Sequence, residues 1–149
     1  MILPDFKAFP RIGRVLGVDW GDRRIGIAVS SPMRDFVFVR DTIVVPKKSQ
    51  QHAQLVADMA KDEGAVGIVV GIPVREDGSD SDTTKKVRAF LDDLVVLTDL
   101  PVCTIEENLT SVAAQEEIGC VRVDVLKKKL DSESARVILE NAIAMINRA

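Results

Sequence analysis

The spacing of apolar positions changes in a regular order along the chain, and that order predicts an α/β domain. Arg14-Val-Leu-Gly-Val-Asp19 is an apolar run closing on an acidic residue, with Gly21-Asp22 as a turn behind it. From Arg24 to Ser30 the residues Ile25, Ile27 and Val29 recur with the two-residue period of a strand. Phe36 to Val45 alternates less cleanly but is rich in β-branched and aromatic residues, predicting a third strand. The period then lengthens. Ser49 is a candidate cap, Leu55, Val56, Met59 and Ala60 form a helical stripe, and Gly64 is the stop. Val66-Gly-Ile-Val-Val-Gly71 is apolar throughout, as expected of a strand covered on both faces. The polar stretch from Arg75 to Asp82 predicts an exposed loop. Val87, Phe90, Leu91 and Leu94 then trace the apolar face of a second helix. Pro101 to Glu106 predicts a fifth strand, Thr110/Ser111 to Ile118 a short helix ended by Gly119, and Asp131 to Asn147 a last helix.

Strands joined by tight turns pair antiparallel, whereas strands separated by helices run parallel. The expected product is a five-stranded mixed sheet with helices on both faces. A chain of 149 residues suits one domain, with 1–13 as an N-terminal extension and 14–149 as the domain proper.

Composition narrows the picture only slightly. No apolar run is long enough to span a bilayer, and the N-terminus lacks the basic-then-apolar layout of a secretory signal. A cytoplasmic location and no membrane partner are expected. Cys103 and Cys120 are too few for a disulfide framework, and with the single His52 they lack zinc-site spacing. Structural roles are expected for all three, with Cys103 a small buried hydrophobe in its strand. The net charge of −3 weighs against a nucleic-acid partner. Basic residues are nevertheless clustered at Arg23/Arg24, Lys85/Lys86/Arg88 and Lys127 to Lys129.

A few of the 23 acidic residues stand apart. Asp19 ends an apolar strand before a tight turn, and Glu106 and Glu107 end the fifth strand. Ligands of α/β sheets bind beyond the carboxyl ends of parallel strands, so these positions could border one crevice. Asp131 precedes Ala135, Ile138 and Ala142 by helical spacings, which places a carboxylate at the head of an apolar stripe. Singly, each admits an ordinary role: turn chemistry, an exposed strand end, or a helix N-cap in Asp131-Ser-Glu-Ser. Together they suit magnesium, which takes carboxylate oxygens and is completed by substrate phosphate.

Four segments, in order, resemble the YqgF/RuvX family. They are Gly17-Val-Asp-Trp-Gly-Asp-Arg-Arg-Ile-Gly-Ile-Ala-Val29, Val70-Gly-Ile-Pro-Val with Asp77-Gly-Ser, Glu106-Glu-Asn-Leu-Thr-Ser111, and Lys129-Leu-Asp-Ser-Glu-Ser-Ala-Arg-Val-Ile-Leu139. The resemblance implies a ribonuclease H-like fold and a metal-dependent endonuclease, with pre-16S ribosomal RNA favoured over a four-way DNA junction. It implies two magnesium or manganese ions on Asp19, Glu107 and Asp131, with Glu106 auxiliary. Arg23, Arg24, Lys86, Asn108 and Thr110 become candidate substrate contacts, in a monomer or weak dimer. Asn108 stands where the family usually has arginine, which keeps hydrogen bonding but loses charge. That exchange leaves open a non-catalytic RNA- or ribosome-binding module. A sugar-kinase-like ATPase also begins with Asp-x-Gly on a hairpin, but 149 residues leave no room for its second lobe.

Overall fold

The computed structural model describes residues 2–46, 51–73, 81–106 and 133–149, together with the helical backbone of 123–132. Its strands are β1 (Arg14–Asp19), β2 (Arg24–Ser30), β3 (Val37–Val44), β4 (Ala65–Ile72) and β5 (Val102–Glu106). Its helices are α1 (His52–Asp62), α2 (Asp82–Leu97) and α3 (Val123–Arg148). Among the described residues no helix is long and apolar enough to cross a membrane.

One mixed sheet has the order β3-β2-β1-β4-β5, antiparallel from β3 to β1 and parallel from β1 to β5. The chain grows outward in one direction from β1 and in the other from β4. Their shared boundary is therefore the switch point where α/β sheets open a crevice at the strand C-termini.

The all-apolar run of β4 is explained by cover on both faces. Ile68, Val70 and Ile72 join Leu16 and Val18 of β1 in a core closed by Val56 of α1 and Val87, Phe90, Leu91 and Leu94 of α2. Val15 and Val69 face the other way, onto Ala135, Ile138, Leu139 and Ala142 of α3. Helices thus lie on both faces, as the periodicity predicts. Gly64, at φ +67°, ends α1 in the left-handed conformation expected of a stop. The N-cap position is Gln51, which makes no side-chain cap bond; the candidate cap Ser49 lies outside the described residues. Ser81 and Thr84 form a reciprocal capping box at the start of α2. Thr84 also donates to the Pro73 carbonyl, tying that helix to the end of β4.

Residues 1–13 read as an extension in the sequence, yet Phe6 and Phe9 are buried in the α3-side core. Ile2 bridges to Val102 of β5. Cys103 is buried as expected; desolvation, then the nearby Asp5 charge, pushes its thiol up to about 11, so it stays neutral.

The last helix needs a correction. It begins at Val123, eight residues before the expected start, so Asp131 lies inside a continuous helix and is not its N-cap. Leucine and lysine are strong helix formers, and Leu126-Lys-Lys-Lys-Leu130 carries the helix through what reads as a basic linker. The predicted loop from Arg75 to Asp82 falls on undescribed residues up to position 80. The predicted short helix from Thr110/Ser111 to Ile118, with its stop Gly119, lies outside the described residues.

Candidate active site

Strand alternation decides which side chains can meet. In β1, Leu16 and Val18 face α1 and α2 while Val15 faces α3, so Asp19 belongs to the α3 face. Its register partner on β2 is Gly26. On β4 it lies alongside Gly71, one residue beyond the Val18–Val70 pair. Both glycines share the α3 face, as does Gly17 two residues back along β1. The half-buried Asp19 therefore stands on a floor of backbone, with no side chain beside it on either neighbouring strand.

Arg24 begins β2 and alternates with Ile25, so it too lies on the α3 face, two residues beyond Gly26. Its Nη1 is buried and has no hydrogen-bond partner among the described residues. A guanidinium nitrogen withdrawn from water without an acceptor suits an anionic ligand.

The helix supplies the opposite wall. A Cβ at Gly17 would lie 2.8 Å from Leu139 Cβ and 3.0 Å from the Ala135 carbonyl, so α3 rests on β1 backbone there. Position 131 is one helical turn before Ala135, on the helix face that meets β1. Asp19 and Arg24 thus share the face of the sheet that α3 covers.

Other expected residues are placed elsewhere. Glu106 alternates with Cys103 and Ile105, which face α3, and so belongs to the opposite face from Asp19. It borders an opening at the β5 edge of the sheet, lined by Ile72, Arg88 and Thr104 and by Ile105 and Met145 of the α3 side. The two strand ends are about 10 Å apart, two inter-strand spacings across β4. Lys86 is also on the α1/α2 side, where its Nζ lies 3.1 Å from Asp22. That pair is exposed, so Lys86→Ala is expected to change unfolding free energy by less than about 1 kcal/mol in a urea titration. Arg23 is exposed in the turn, its carbonyl accepting from Val45 N at 2.7 Å. Glu107, Asn108, Thr110 and Cys120 lie outside the described residues, as do the side chains of Lys127 to Lys129 and Asp131. Among the described residues no three His, Cys, Asp or Glu side chains converge as a metal site.

Two residues near the turn carry no catalytic signal in the sequence. Trp20 and His52 stack with ring centroids 5.1 Å apart. His52 sits at the start of α1, buried to 8% exposure, and its Nε2 meets the carbonyls of Gly21 and Asp22. The two rings line an open cleft of about 640 Å³ between α1 and α2, behind the sheet from Asp19.

Comparison with known proteins identifies the family and the fold. Residues 13–145 match the family described as "RuvX: Holliday junction resolvase". A protein of Maridesulfovibrio salexigens is 34% identical over 88% of this chain and 98% of its own length. One from Rhodopirellula baltica is 36% identical over 89% of this chain and 78% of its own. Both are provisionally named as pre-16S rRNA nucleases. Among solved structures, T. thermophilus RuvC in complex with Holliday junction substrate superposes with a TM-score of 0.56 at 13% identity. The match covers 91% of this chain and 94% of RuvC, a likeness of fold.

Proposed function

The chain belongs to the RuvX family, and from that premise we propose that it is a metal-dependent endonuclease hydrolysing phosphodiester bonds, with the 5′ leader of pre-16S ribosomal RNA as its substrate. The observation that carries this reading is Asp19 on its glycine floor at the β1–β4 switch point, with Arg24 and α3 position 131 on the same face. We take 14–149 as the catalytic domain and 1–13 as an extension packed against it.

The donor chemistry fits a hard cation. A carboxylate at a strand end, flanked by glycine on each neighbouring strand, suits an ion that takes carboxylate oxygens and keeps some of its waters. Asp19, Glu107 and Asp131 are the residues that would hold magnesium or manganese. When bound, two such ions would supply acidity to the attacking water and charge compensation at the leaving oxygen. Parity along β5 puts Glu106 on the other face from Asp19, so we assign it an auxiliary part at most; Glu107 lies outside the described residues and is kept as a ligand from the family resemblance.

The protein's own part is positioning. Gly26 and Gly71 admit the substrate backbone close to Asp19, and Arg24 pairs with a phosphate beside the scissile one. Arg24→Ala is expected to weaken RNA binding to a similar degree across sequences and to lower the salt slope of log Kd by about 1, in filter-binding titrations at several salt concentrations.

The deciding experiment incubates labelled pre-16S leader RNA and, separately, a four-way DNA junction with magnesium, manganese or EDTA. Metal-dependent RNA cleavage supports the proposal, and cleavage of the junction alone replaces it with a resolvase. Binding without cleavage of either substrate makes it a binding module, the reading that Asn108 favours through its missing charge.

A further inference from the structure

We propose that His52 is a positioning residue for this site, fixing the β1–β2 turn that sets Asp19 and Arg24 on one face; its kinetic readout rests on the nuclease reading above. The turn is short, and among the described residues Gly21 and Asp22 make no backbone–backbone hydrogen bond. His52 supplies a side-chain donor instead. Its Nε2 lies 3.0 Å from the Gly21 carbonyl and 2.9 Å from the Asp22 carbonyl. Carbonyls only accept, so Nε2 carries the hydrogen and shares it between the two.

The same ring stacks on Trp20 at 5.1 Å and an interplanar angle of 27°. Three consecutive residues, beginning immediately after Asp19, are therefore held by one buried side chain from α1. Gly21 leaves no slack, because a Cβ there would collide with the Arg24 carbonyl. The far leg is tied by Val45 N to the Arg23 carbonyl at 2.7 Å. The exposed Lys86–Asp22 pair adds little, whereas a buried donor shared by two backbone acceptors resists displacement. If the turn relaxes, Asp19 and Arg24 move relative to each other, and small displacements of a catalytic group are costly.

Two variants separate this role from simple packing. His52→Phe keeps a ring against Trp20 and loses the donor. His52→Gln gives up the ring and keeps an N–H near the position of Nε2. Both would be checked for folding by thermal melting, then compared in RNA cleavage and in amide exchange at Val45, which reports the far leg of the turn. His52→Phe is expected to lower kcat about tenfold with KM nearly unchanged, and to speed Val45 exchange. His52→Gln is expected to recover most of both. Equal losses in the two variants, or unchanged kcat and exchange in His52→Phe, overturn the proposal. Should the wild-type protein cleave nothing, the nuclease reading fails and exchange alone decides: faster in His52→Phe but not in His52→Gln supports the clamp, and equal rates refute it.

Discussion

Asp19→Asn is expected to lower metal-dependent cleavage by roughly three orders of magnitude while leaving the protein folded. The two side chains have nearly the same shape, so the change removes charge without opening a cavity. A divalent ion contributes several kcal/mol of charge stabilisation to such a reaction. At about 1.36 kcal/mol per decade of rate, losing most of it costs about a thousandfold. Asp19 is half-buried at a strand end, outside both cores, so stability is expected to stay within about 1 kcal/mol of wild type. The measurement is a magnesium titration of RNA cleavage beside a thermal melt. Wild-type cleavage with wild-type metal dependence in the variant would remove Asp19 from the site.

Gly17→Ala tests the opposite wall. The added methyl meets Leu139 Cβ at 2.8 Å and the Ala135 carbonyl at 3.0 Å. One contact is the fixed base of a side chain and the other is backbone, so neither yields by a rotamer change. The helix must move away from β1. Overpacking of this kind costs about 1–3 kcal/mol, to be read from the midpoint of a urea titration. The same movement carries position 131 away from Asp19, and a misplacement near 1 Å can cost about a hundredfold in rate. Stability and activity should fall together. A stable variant with wild-type kinetics would mean that α3 does not set the spacing of the acidic residues.

Much of this was readable in the sequence, for identifiable reasons. Strands β1 and β2 have the predicted limits because their apolar period is unambiguous. The continuous apolar run in β4 announced burial on both faces, which its parallel neighbours explain. Asp131 was harder to place. Asp-Ser-Glu-Ser is a good helix start, and only the continuity of α3 shows that the local signal is overridden by the leucines and lysines before it. Charge alone does not reveal the neighbour of Lys86, since a lysine's sequence context does not say that Asp22 will lie beside it. Glu106 carried no sign in the sequence of which face it would take until its parity with Cys103 and Ile105 was known. His52 was beyond reach, because its partners are backbone carbonyls some 30 positions away, and every residue has a carbonyl.

The bare floor around Asp19 also limits how this site can change. At Gly26 and Gly71 every possible substitution adds volume and none removes it. A pocket walled by side chains can be widened or narrowed one residue at a time; a floor of main chain can only be obstructed. If Asp19 acts as proposed, a shift from one nucleic acid to another would come through the walls, at the rim of β2 and along α3, while the main-chain floor stays as it is.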